Sequence, residues 1–114
     1  MRLAKDKRMH IVRNAAHSVY AELGLPDAEA MVVKAQLVTE IAELVASRKL
    51  TQTEAASLFG IPQPKLSNIF RGQFRGVSER KLMDCLTRLG RDVDIVIKPV
   101  PRSRKEGRLA VVTV

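Results

Sequence analysis

Between Leu50 and Gly72 the chain reads LTQTEAASLFGIPQPKLSNIFRG, a run that leaves little freedom of local structure. Thr51 with Glu54 three residues later forms a capping-box pair. The hydroxyl meets an orphan amide at a helix start, and the carboxylate reaches back to the cap's own N–H. A helix begun there runs to about Phe59. Gly60 then supplies a left-handed residue that side chains resist. Pro62 starts a second helix, and Pro64 lies in its first turn, where a missing N–H costs little. The helix continues through Lys65, Leu66, Ser67, Asn68, Ile69 and Phe70 and ends at Gly72.

Two helices joined this tightly must touch at a small residue, and Ala56 stands four positions before Gly60. Leu66 and Ile69, one turn apart, face back across the turn, and Ala55, Phe59 and Ile61 complete the seam. The opposite face of the second helix stays polar. This is the layout of a helix-turn-helix, which enters a DNA major groove with its second helix. Among the polar residues, Gln63 and Asn68 can each pair with adenine through two hydrogen bonds. Lys65 or Arg71 can read guanine, and Ser67 can meet either base. Thr51, Gln52, Gln73, Arg75, Ser78 and Lys81 flank the motif at loop or helix-start positions, where they can hold phosphates without reading sequence.

Charge agrees with a polyanion partner. The 114-residue chain carries a net charge of +8, with a pI near 10.3. The excess lies on residues 1–25, on the motif and its exit, and on residues 91–114, while residues 26–50 are slightly acidic. Nucleic acid is the first expectation and an anionic membrane surface the second. No apolar run approaches the ~20 residues of a membrane span, and no signal-peptide apolar region follows the basic start, so a cytoplasmic, nucleoid-associated setting is expected. Cys85, the single cysteine, sits beside Leu82, Leu86 and Leu89 and reads as a packed thiol. His10 and His17 lack companions at metal spacing. With no phosphate loop, nucleophile elbow or paired carboxylates in the sequence, neither an enzyme nor a cofactor is expected.

The remaining chain organises around the motif. Residues 1–26 read as a basic arm (Arg2, Lys5, Lys7, Arg8, Arg13) followed by a short docking helix over Ala15 to Leu25. The arm is open to three readings: a DNA contact, a protein contact, or a solvated tail. Residues 27–90 form the helix-turn-helix domain. Its long first helix runs from an Asp27 cap to about Arg48, with an apolar stripe of Ala30, Val33, Leu37, Ile41 and Leu44. Met31, Val38 and Val45 widen that stripe, and Glu40 and Glu43 are expected on the other side. Ser78 caps a last helix reaching about Leu89. Residues 91–114 form a β extension, in which Asp92–Lys98 alternates apolar and polar residues and Leu109–Val114 is a second β-prone run. The two suit a hairpin, which is marginal alone and is expected either to pack on the helices or to pair with a second chain and dimerise it. The expected class is mainly α, with about five helices around a central helix-turn-helix and a short C-terminal β-strand or hairpin.

The motif resembles the Xre/Cro-type helix-turn-helix. The longer run from GLPDAEAMVVKAQLVTEIAELVASRKLTQTEAA through GVSERKLMDCLTRLGRDVDIVIKP, about Leu23 to Pro99, resembles the subfamily that includes HigA-type antitoxins. The resemblance implies a lambda-repressor-like domain that forms a homodimer, binds a palindromic operator in double-stranded DNA and often represses its own operon. In the antitoxin branch it also neutralises a RelE-like ribonuclease toxin. Gln52 matches the family glutamine that touches phosphate, and Gln63, Lys65, Ser67 and Asn68 match the exposed recognition positions. Pro62 stands where many members place a Ser or Thr cap. Two other roles fit the same sequence: a stand-alone or phage-type Xre regulator without a toxin, and a toxin-sequestering protein whose DNA binding is secondary.

Overall fold

The computed structural model describes residues 28–114. Four helices form among the described residues: α1 (Ala28–Ser47), α2 (Gln52–Phe59), α3 (Gln63–Phe70) and α4 (Glu79–Arg88). The basic arm, the expected docking helix and the Asp27 cap lie outside the described residues. α1 packs most extensively on α4, α2 packs on α3 and α4, and α1 also touches α3. One aliphatic core results, with Ile41, Phe59, Leu66, Leu82 and Leu89 as its largest fully enclosed side chains.

Sequence periodicity accounts for most of this core. Leu37, Ile41 and Leu44 are buried along α1, and so are the flanking Met31, Val38 and Val45. Leu82, Cys85, Leu86 and Leu89 are buried as the fourth helix requires, and desolvation pushes the Cys85 thiol pKa above its ordinary value. Two loop residues join them. Phe74 and Val77, in the segment between α3 and α4, are buried and anchor that loop. Glu40 departs from expectation. It is buried together with Gln36 one turn earlier, because α1 is covered on a second side. Part of that cover is the chain's own C-terminal segment: the Val111 N–H donates to Gln36 Oε1 at 3.2 Å, and the Leu109 N–H donates to Glu29 Oε1.

The same two contacts explain a correction. No strand forms in the described residues, and Asp92–Lys98 and Leu109–Val114 do not pair as a hairpin. The second run directs backbone amides at α1 side chains instead of at the first run. Pro99 and Pro101 lack N–H groups, and the connector folds on itself through Arg104 N–H to Pro101 O at 3.0 Å. An isolated two-stranded hairpin is marginal in water even with a good turn.

All four helices end alike, in a Schellman pair of bonds that satisfies terminal carbonyls. In α2 the Gly60 and Ile61 amides reach Ser57 and Ala56 carbonyls at 3.2 and 3.1 Å. In α3 Gly72 and Gln73 reach Ile69 and Asn68 at 3.1 and 2.9 Å. Gly90 and Arg91 close α4 on Thr87 and Leu86, both at 3.0 Å. At the end of α1 the left-handed position is filled by Lys49 (φ 56°), whose amide and that of Leu50 reach Ala46 and Val45 at 3.0 and 3.1 Å. A side chain there is strained where glycine is not. Lys49→Gly is therefore expected to stabilise the chain by roughly 0.5–1 kcal/mol, and Gly60→Ala (φ 69°) to destabilise it by roughly 1 kcal/mol. Gly76→Ala, with no positive φ and nothing within 4 Å of an added Cβ, serves as the neutral control in the same denaturant titrations.

Candidate nucleic-acid interface

The seam between α2 and α3 follows the spacing in the sequence. Ala55, Ala56 and Phe59 of α2 and Leu66 and Ile69 of α3 are buried, and Gly60 makes the turn in the left-handed conformation. α2 starts on the capping box. The Glu54 N–H donates to Thr51 Oγ1 at 3.1 Å, and the Thr51 N–H donates to Glu54 Oε1 at 2.9 Å. The bond from the Thr51 backbone, then that from its side chain, holds the Glu54 carboxyl below its ordinary pKa.

α4 supports the motif from behind through charges placed on helix ends. Lys81 Nζ donates to Phe59 O at 2.8 Å, and Arg88 Nη1 donates to Leu58 O at 3.0 Å. Both are terminal carbonyls of α2, the negative end of that helix. Asp84 lies between the two cations, accepting from Arg88 Nε at 3.0 Å and standing 3.6 Å from Lys81 Nζ. Arg48, just past the end of α1, likewise donates to Leu89 O beyond α4. These basic side chains are engaged within the fold, a role that residue type and charge sums do not reveal.

The polar front of α3 carries the expected residues in two small networks. Gln63 Nε2 donates to Gln52 Oε1 at 2.9 Å, tying the first residue of α3 to the first residue of α2. At the other end, Arg71 Nη2 donates to Asn68 Oδ1. Between them Lys65 is exposed, and Ser67 is half-buried, with its carbonyl taking the Arg71 N–H at 3.2 Å. Beyond Gly72, Gln73 and Arg75 are exposed on the loop that Phe74 and Val77 anchor. Lys34 of α1 fixes the same loop, donating to Arg75 O at 2.7 Å and lying 3.6 Å from Glu79. Thr51 and Ser78 are exposed helix caps. The Ser78 hydroxyl accepts the Lys81 N–H at 3.1 Å, which leaves its own O–H for an outside acceptor.

Pro62 is the N-cap of α3, with no side-chain cap bond and with Pro64 in the first turn. The start of α3 thus offers few backbone donors to an anion, and side chains must carry that contact. The sequence places Gln52 and Gln63 in separate roles. Their pairing was readable only from their matched positions at the two helix starts.

Two measurements follow. A depressed Glu54 pKa means that its carboxylate supports α2 above the ordinary carboxylate range, and that this support is lost as pH falls through the folded-state value. The gap in melting temperature between the chain and its Glu54→Gln variant should therefore be present at pH 7 and shrink as pH falls below the ordinary carboxylate range. Lys81→Met should cost about 1 kcal/mol in thermal unfolding, from the lost helix-end bond. Its effect on the salt dependence of DNA binding reads the expected phosphate contact of Lys81: the slope becomes shallower by about 0.9 if the remaining ammonium donors meet a phosphate, and is unchanged if the cation serves the helix end alone.

Comparison with known proteins agrees with this geometry. A family model described as a helix-turn-helix domain matches residues 19–98. A solved structure bearing the name of an XRE family transcriptional regulator is 38% identical, with a TM-score of 0.73 over 78% of this chain and 100% of that one. No curated protein matches. Among the described residues no helix is long and apolar enough to cross a membrane. With its helix-turn-helix seam, its exposed polar α3 and these matches, the chain belongs to the Xre-type helix-turn-helix family of DNA-binding transcriptional regulators.

Proposed function

We propose that the chain is a dimeric repressor that reads a palindromic operator through α3 and controls its own operon as a HigA-type antitoxin. The observation that carries the reading is the amide pair at the front of the motif. Gln63 gives one Nε2 hydrogen to Gln52 and keeps its second hydrogen and its Oε1, the donor and acceptor that adenine requires. The Gln52 amide group keeps its donors for a phosphate. Lys65 supplies a third contact on the groove side. Thr51, Gln73, Arg75 and Ser78 supply phosphate contacts around it, set by the caps and by the anchored loop.

Dimerisation is supported by the C-terminal extension. Ile95, Val96 and Ile97 are 79%, 76% and 94% exposed, an apolar run that water does not favour. Its backbone forms no ladder among the described residues. Two copies paired antiparallel about Ile95 would set Val93 against Ile97 on one face. On the other, Asp92 would oppose Lys98 of the second copy, an opposite-charge pair at each end. A symmetric dimer places two α3 helices about one DNA turn apart, ~34 Å, as a palindrome needs. The antitoxin arm is supported by the length of the HigA-like run, which continues past the motif into LGRDVDIVIKP.

Fluorescence anisotropy against the chain's own promoter, across a salt series, tests the repressor. Log affinity should fall with log salt by about 0.9 per phosphate contact. Gln63→Ala should cost roughly 1–3 kcal/mol at one base position only. Equal affinity for scrambled DNA would remove the sequence-specific reading. Sedimentation at micromolar concentration should give a dimer that Ile95→Lys dissociates, and a wild-type monomer with and without operator would refute the extension's role. An adjacent gene for a small basic ribonuclease whose product co-purifies with the chain would support the antitoxin arm. Failure to co-purify with that product would point to a stand-alone regulator.

A further inference from the structure

Asn68 and Gln63 look equivalent in sequence, since both are amides on the exposed side of α3. The structure separates them. Asn68 Oδ1 accepts from Arg71 Nη2, and chemistry fixes the orientation of that amide. A guanidinium has five donors, no acceptor and no accessible neutral form, so only the oxygen of Asn68 can face it. The Asn68 Nδ2 then points away from Arg71, one of the two lone pairs of Oδ1 is taken, and the edge formed by the two side chains is rich in donors. Adenine in the major groove offers one acceptor and one donor, whereas guanine offers two acceptors, N7 and O6. An edge dominated by donors, with the Arg71 fork at its front, matches guanine.

Arg71 is also placed for that task. It is the C-cap of α3, with its N–H bonded to Ser67 and Asn68 carbonyls at 3.2 and 3.1 Å. Its backbone is therefore fixed while its side chain is exposed. Asn68 O accepts a second bond, from the Gln73 N–H at 2.9 Å, so residue 68 is held by both its main chain and its side chain. Orienting a long guanidinium before it meets a base lowers the conformational entropy lost on binding.

We propose that Asn68 and Arg71 act as one guanine-reading unit, in which Asn68 is a positioning residue that aims Arg71, and that adenine reading by amide falls to Gln63 alone. This inference rests on the DNA-reading function proposed above. A half-site would then carry an adenine and a guanine. Gln63 and Asn68 lie five positions apart on α3, a rise of about 7.5 Å, or roughly two base-pair steps.

The test is binding-site selection from a randomised duplex library with the full chain, followed by affinities of the chain and its variants on each single-base change in the selected site. Arg71→Ala should lower the preference for one guanine by roughly 10- to 100-fold. Asn68→Ala should lower the preference at that same position, and adding it to Arg71→Ala should change nothing further there. Arg71→Lys keeps the charge but lacks the planar fork that Asn68 aims, so it should weaken the guanine preference and make it insensitive to Asn68→Ala, while keeping the wild-type salt slope. Asn68→Asp keeps an acceptor for Arg71 and should retain guanine. A purely structural role for Asn68 would instead lower affinity evenly across all bases. That outcome would overturn the proposal, as would Asn68→Ala abolishing an adenine preference that Arg71→Ala leaves intact. A wild-type chain that enriches no sequence would overturn the DNA-reading function itself. A selected site in which Gln63→Ala relaxes one base while neither Asn68 nor Arg71 affects a guanine would overturn only the guanine unit.

Discussion

The close approach of α2 and α3 is the contact on which the interface depends. Ala56 is the side chain that permits it, with 2% exposure. A larger residue there would push α3 outward or force the turn at Gly60 to open, because a packed core does not absorb extra volume without strain. Phe59, Leu66 and Ile69 close over the same point. Once they are buried, the remaining face of α3 can only be the one that carries Gln63, Lys65, Ser67 and Asn68. The polarity of the outer face and the smallness of Ala56 are thus two sides of one packing constraint, and the front side-chain networks have fixed positions because the back is closed.

Charge is used in two ways in this chain, and they are easily confused in a sum over residues. Lys81, Arg88 and Arg48 neutralise the carbonyl ends of neighbouring helices and tie α4 to α2 and to α1. Lys34 ties α1 to the loop that presents Arg75. Lys65, Arg71 and Arg75 instead lie exposed on the recognition helix or directly after it. A basic protein of this size can therefore support its interface with one set of cations and contact a polyanion with another. The net charge of +8 does not distinguish the two sets; the hydrogen bonds do.

Much of the fold was legible in the sequence because local rules act there without competition. Thr51 with Glu54, Gly60, Ser78 and Gly90 mark helix ends by backbone chemistry that holds in almost any context. The apolar spacing of Leu37, Ile41, Leu44, Leu82 and Leu86 marks the buried faces. The sequence failed where a distant partner decides. Asp92–Lys98 has the alternation of a strand, but a strand needs a neighbour, and the amides of Leu109 and Val111 go to Glu29 and Gln36 far earlier in the chain. Glu40 reads as a solvent residue on a helical wheel and is buried because α1 is covered on a second side. Asn68 and Lys81 keep the residue types of direct contacts, and each also bonds within the fold, Asn68 to Arg71 three residues on and Lys81 to Phe59 O.

An NMR titration of the full chain with its own promoter duplex reads the recognition face residue by residue, since every backbone amide reports its own surroundings. If α3 reads the duplex, the largest amide shifts fall at Gln52, Gln63, Lys65 to Asn68 and Arg71 to Arg75, with the α2 carbonyl end held by Lys81 and Arg88 undisturbed. Shifts concentrated in residues 91–114, with α3 unmoved, would contradict that reading.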